Sequence, residues 1–243
     1  ELPSARPELI LATGEAPDAP WLDGLRARLP GGRVSCWVDP VLGYLAEQPG
    51  PQSPLRQQLR RFWTRHLAGL TAADCLIWAH NQGLGRNLLL TRELVRQCAA
   101  RNLPLVLHHH DWWWDGRWER WPEMAEQGID CLAEALEITL PRHPRCRHFC
   151  INAGDVRLLR EWTGMDACFL PNPIAPAGAD HGETDRAREF LGRRTGAVSH
   201  WLYPCRGLRR KNIAEALLVQ RCMDPEAVTV TTGGASSAAE VPY

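Results

Sequence analysis

Short apolar runs recur along this chain, and most are followed by a stretch in which apolar residues return every three or four positions. Pro7–Thr13 reads as a first strand ended by Gly14, and Trp21–Leu29 as a short helix stopped by Pro30-Gly31-Gly32. Arg33–Val38 is a second strand. A helix is expected over 53–70, with Ser53 as cap, Pro54 in the first position and Gly69 near the end. Leu55, Leu59, Phe62, Trp63, Leu67 and Leu70 fall on one side of it, and Arg56, Arg60, Arg61 and Arg65 on the other. Asp74–Ala79 is a third strand that runs into His80-Asn81, followed by a helix from about Asn87 to Arg101. Leu103–Leu107 is apolar throughout, as a strand buried on both faces would be. A polar and aromatic loop leads to a helix within Asp130–Leu140. His148–Ile151, a helix over Ala153–Thr163 and Ala167–Leu170 complete the series. Strands alternating with helices at this rhythm predict an α/β fold with a parallel, doubly wound sheet.

Pro171-Asn172-Pro173 and the Pro/Gly-rich residues after it break that rhythm and read as a linker. A second β-α-β begins beyond it, with Val198–Tyr203, a helix from Asn212, and Ala227–Thr232. Two strands and one helix are too little for an independent domain. The organisation expected is a first Rossmann-like domain over 1–172, a linker over 173–195, and the truncated start of a second over 196–243.

Formal charge is zero, with 28 basic and 28 acidic residues, so neither nucleic acid nor an anionic membrane is indicated as a general partner. No apolar run approaches the ~20 residues that span a bilayer, and the opening residues do not read as a secretory leader. The basic face of helix 53–70 reads as a solvated outer face on a packed helix, and is also compatible with weak peripheral contact to an anionic membrane. Nine cysteines, singly scattered, fit reduced thiols in a cytoplasmic protein.

Ligands of open parallel sheets bind at the carboxyl ends of strands, and three strand ends here carry unusual polar residues. They are His80-Asn81, His108-His109-His110-Asp111, and the turn holding Arg206 and Lys211. Lys211 is the only lysine among the 28 basic residues. An ammonium kept at one place suits a point charge reaching between phosphates, and Arg206 adds a planar fork for two oxygens. The helix start beside them favours an anion as well. The histidine run admits a metal reading, but neighbours on a strand point to opposite faces, so at most His108 and His110 could share an ion. It also admits histidines satisfied by their surroundings, or a substrate-contacting His110 held by Asp111. Five of the 11 tryptophans fall between Trp112 and Trp121. Trp112 and Trp113 offer stacking faces for a sugar, or form a local hydrophobic plug.

With these residues in order, the chain resembles the retaining, nucleotide-sugar-dependent glycosyltransferases of the GT-B fold (the group 1, family 4-like enzymes), in which two Rossmann-like domains face each other. Ala79-His80-Asn81 is similar to that family's strand ending in His-Asn. Val106 to Trp112 is similar to its strand ending in His-Asp before an aromatic residue. Phe169-Leu170-Pro171-Asn172-Pro173 resembles the element closing its first domain, and Arg206 and Lys211 match the pair that holds the donor diphosphate. The resemblance implies a hexosyltransferase that needs no metal or other cofactor, with a nucleotide-sugar donor and an acceptor as its partners. It implies that His110, with Asp111, addresses the donor sugar near the reacting carbon, and that His80, Asn81, Trp112, Trp113 and Asn172 lie at the substrate. The family's later Glu-x7-Glu element has no counterpart in the second domain, and Glu126 and Glu134 lie in the first. This chain alone is therefore expected to be inactive. Metal-dependent hydrolysis through His108 and His110, or non-catalytic sugar or nucleotide binding, are the alternative readings.

Overall fold

A computed structural model of the chain describes residues 7–45, 52–115, 118–174, 181–205 and 211–233. The chain divides into two compact units, Glu1–Pro173 and Ile174–Tyr243. The first contains strands β1 (Glu8–Thr13), β2 (Arg33–Val38), β3 (Ile77–His80), β4 (Leu105–His109), β5 (Cys146–Cys150) and β6 (Ala167–Phe169). Its helices are α1 (Ala19–Ala27), α2 (Gln52–His66), α3 (Leu88–Ala100), α4 (Trp121–Glu126), α5 (Leu132–Thr139) and α6 (Ala153–Thr163). The second holds α7 (His181–Thr195), β7 (His200–Tyr203), α8 (Ile213–Met223) and β8 (Val228–Thr231).

Every strand pairing among the described residues is parallel, and the architecture is α/β of the Rossmann-like kind. The described strands of the first unit do not form one continuous sheet. β3, β4, β5 and β6 make a four-stranded sheet in chain order, while β1 pairs with β2 alone and β7 with β8 alone. Alternation of strand and helix forces parallel crossovers, but it does not say which edges meet, and that is where the single doubly wound sheet of the expectation departs from the structure.

Helix α2 shows how pattern becomes packing. Leu55, Leu59, Phe62 and Trp63 are buried, and Leu67 just beyond its end is buried with them, while Arg56, Arg60, Arg61 and Arg65 are exposed. The apolar stripe joins Leu89, Leu94 and Cys98 of α3 and Ala79, Leu105 and Leu107 of the sheet in one core. The helix opens at Gln52, ahead of the Ser53 cap expected, and closes at His66. α3 is capped by Asn87, whose side chain accepts from Leu90 N at 2.9 Å and donates to the Gly43 carbonyl at 2.8 Å. α6 is capped by Asn152 and ends at Gly164 in the left-handed region (φ 62°).

Two helices lie where none is expected. α4 is six residues long with Pro122 in its first turn, too short for a periodic signal. α7 occupies much of the stretch read as linker, yet none of its residues is buried. It has no apolar face to announce it, and it carries instead the ion pairs Asp185–Arg188 and Glu189–Arg193 on successive turns. Among the described residues no helix is long and apolar enough to cross a membrane. All nine cysteines are free, and burial pushes the thiols of Cys98, Cys146 and Cys150 up to about 12, as suits inert packing groups.

Candidate functional site

β3 and β4 run side by side with His80 opposite His108, and the Asn81 N–H continues the ladder to the His108 carbonyl at 2.7 Å. Register partners on parallel strands share a face, and a residue two further on shares it too. The imidazoles of His80, His108 and His110 therefore gather at the carboxyl end of the sheet. Ring centroids are 4.1 Å apart for His80–His110, 4.7 Å for His108–His110 and 5.5 Å for His80–His108, all packed edge to face. Sequence alternation brings His108 and His110 together. It is silent on His80, because strand pairing is a tertiary fact. His108 Nε2 lies 2.9 Å from the Leu170 carbonyl, tying the end of β4 to the chain leaving β6.

Asn81 organises the next two residues. Its backbone sits in the left-handed region (φ 58°), which asparagine tolerates better than most residues. From there its side-chain oxygen accepts from His110 N at 3.3 Å and Asp111 N at 3.1 Å, while its amide nitrogen lies 3.4 Å from Asp111 Oδ2. The backbone that presents His110 and Asp111 is thus held by a residue from a neighbouring strand end.

Close approach behind them requires glycine. A Cβ on Gly83 would lie 2.8 Å from the Asp111 carbonyl, and one on Gly85 (φ +72°) would lie 2.7 Å from both Met124 and Trp113. Trp113 N donates to the Gly83 carbonyl at 2.8 Å. The Gly83–Gly85 turn accommodates the loop after β4.

The tryptophan run packs as the plug. Trp112 and Trp113 are 5% and 2% exposed. Trp112 stacks between His109 and Trp114 and donates from Nε1 to Asp155 at 2.9 Å. Trp113 lies among Leu88, Met124, Ile129, Ala135 and Ile138 and donates to Thr139 Oγ1 at 3.1 Å. Buried rings with their N–H groups already used support the loop from behind, which corrects the expectation that these two faces are open to a sugar. Asn172 is exposed just past β6.

His109 points the other way, into the core, where its ring lies parallel to that of His148. The network assigns the protons. His148 Nε2 donates to the Pro141 carbonyl at 3.1 Å, leaving Nδ1 to accept from His109 Nε2 at 3.0 Å. His109 Nδ1 is buried without a partner. Burial, reinforced by His148, His108 and His110, pushes His109 down to about 3, and burial lowers His148 as well. The unfolded chain protonates these rings near pH ~6.5 while the folded chain keeps them neutral. Their contribution is therefore complete above pH ~6.5 and is lost as pH falls below it, for His109 at about 1.4 kcal/mol per pH unit until pH nears 3. Urea unfolding followed between pH 7 and 4 should show stability falling with acidification, and a profile flat across that window would contradict the relay. No motif marks His148 as a partner; it sits alone in the sequence.

Burial, then the neighbouring imidazoles, lowers both His80 and His110, with Asp111 opposing the effect on His110. Both rings are kept neutral at neutral pH, as donors or acceptors rather than cations.

In the second unit, Lys211 lies just before α8, and Tyr203 Oη donates to its carbonyl at 2.5 Å. Asn212 opens the helix in the left-handed region (φ 52°) without a side-chain cap, so the first N–H groups of α8 are not satisfied by their own cap residue. Arg206 lies outside the described residues.

No protein-family model matches the chain. Over 179 residues it is 28% identical to mannosylglucosyl-3-phosphoglycerate synthase of Petrotoga mobilis. The match covers 69% of this chain and 34% of that protein, so the chain spans about a third of the length of the curated relative it matches.

Proposed function

We propose that this chain is the acceptor-side part, with the start of the donor-side part, of a retaining glycosyltransferase of the GT-B kind that takes a hexosyl group from a nucleotide-sugar. The observation that carries the reading is the Asn81 clamp, which holds His110 and Asp111 at the carboxyl end of a parallel sheet. The distant likeness to a glycosyltransferase supports sugar transfer in general. In this reading the neutral His110 imidazole hydrogen-bonds the donor sugar beside its reacting carbon, with Asp111 behind it and His80, Asn81 and Asn172 around it. Lys211 and Arg206, with the start of α8, take the diphosphate. As the bond from sugar carbon to phosphate oxygen breaks, its electron pair leaves on the diphosphate and the carbon becomes oxocarbenium-like. Cations on the departing oxygens stabilise that charge, and hydrogen bonds to charged groups contribute roughly 1.5–3 kcal/mol each. No metal is needed for this step. Nine free thiols suit a cytoplasmic site, and the exposed arginines of α2 are available for weak membrane contact.

Nucleoside diphosphates at saturating concentration should raise the thermal midpoint of the protein. A ligand at a hundred times its Kd stabilises by about 2.7 kcal/mol, and Lys211→Ala should abolish most of that protection. Failure of uridine, adenosine and guanosine diphosphates alike to protect, or full protection in Lys211→Ala, would overturn the assignment of Lys211.

A further inference from the structure

We propose that His80, His108 and His110 form a binding site for one divalent transition-metal ion of the zinc class, a property separate from sugar transfer. One nitrogen from each ring lies within 4.8 Å of the others, so a single point is within reach of all three. Zinc holds imidazole nitrogens at about 2.0–2.1 Å, which sets tetrahedral ligands about 3.3 Å apart. Modest side-chain rotations of the exposed His80 and the half-buried His110 would close that gap.

Two features of the cluster favour an ion over mere ring packing. The first is the outer contact of His108. Metal-bound histidines donate their second ring N–H to a carbonyl or carboxylate, which fixes the tautomer and turns the other lone pair towards the metal. His108 Nε2 already lies 2.9 Å from the Leu170 carbonyl, which leaves Nδ1 as the ligating atom. The second is lack of other occupation. Among the described residues His110 Nε2 is buried without a hydrogen-bond partner, and the His80 ring touches only its neighbouring imidazoles.

The donor set selects the metal. Imidazole nitrogen suits zinc, cobalt, nickel and copper, whereas magnesium and calcium take oxygen ligands. Three protein ligands leave one position open for water or another small ligand. The ion would compete with the sugar for His110, so occupancy would oppose transfer.

The test uses the chelator-stripped full chain titrated with cobalt(II), with no donor or acceptor present. Expected are one tightly bound equivalent, the visible absorption of a low-coordinate cobalt centre without a near-ultraviolet thiolate band, and displacement by zinc. His80→Ala, at an exposed position, and His110→Ala should each weaken binding roughly tenfold or more, while the exposed His181→Ala leaves it unchanged. Circular dichroism melting of each variant separates lost ligation from lost folding. No stoichiometric binding, a thiolate band, or unchanged affinity in folded His80→Ala and His110→Ala would each overturn the proposal. Because the titration contains no nucleotide-sugar, its outcome leaves the sugar-transfer reading standing or falling on its own test.

Discussion

His110→Ala is expected to lower sugar transfer on the order of 10²–10³-fold when the whole open reading frame encoding this chain is assayed, with little change in melting temperature. The size is that of removing one preorganised hydrogen-bond donor at a centre where charge develops. Structure and stability should hold, because what positions this segment is its backbone. The His110 and Asp111 N–H groups are held by Asn81, and the alanine variant keeps both. The ring Nε2 has no partner to lose. His110→Gln, which restores a donor, should recover part of the rate. The pH profile offers a second check. Burial and the adjacent imidazoles hold His110 below the ordinary histidine value, so an acid limb due to its protonation should fall below pH ~6.5. A folded His110→Ala with unimpaired transfer would remove His110 from the reaction.

The second large effect is on stability. Trp113→Ala should destabilise the first unit by roughly 3–5 kcal/mol, the usual cost of truncating a fully buried large aromatic side chain. Trp113 fills the space between Leu88, Met124, Ile129, Ala135 and Ile138, and its indole N–H bonds Thr139. Its Cβ beside the Gly85 turn and its backbone N–H to the Gly83 carbonyl both survive in the alanine variant, so the loss falls on the packing of the ring. Urea unfolding measures it. Trp162→Ala, at a position 82% exposed, is the matched control and should change stability by no more than about 0.5 kcal/mol. Equal effects at the two positions would contradict the plug.

The contrast among these tryptophans shows what the sequence could and could not tell. Adjacent indoles look alike in a sequence, whether they pack or bind. Their burial, and the bonds from Trp112 to Asp155 and from Trp113 to Thr139, separate the two roles. Helix α2 was legible in full on its apolar face, because periodicity and burial are one fact seen twice. α7 was not, since a helix with no buried side leaves no periodic trace. Alternation paired His108 with His110 at the end of one strand, as the structure has them. That His80 joins them, and that Asn81 spans to the His110 and Asp111 backbone, depends on β3 lying beside β4 in one register. His109 shows the same limit from the core side. It is one of three identical letters, and only the His148 and Pro141 contacts reveal a neutral buried relay.

The central claim is nucleotide-sugar turnover, and the direct measurement is donor consumption by the protein expressed from the whole reading frame. With a panel of nucleotide-hexoses and candidate acceptors, free nucleoside diphosphate should appear in step with a glycosylated product, and the product should keep the donor's anomeric configuration by NMR. Binding of sugar or nucleotide with no donor consumed, or a product of inverted configuration, would contradict it.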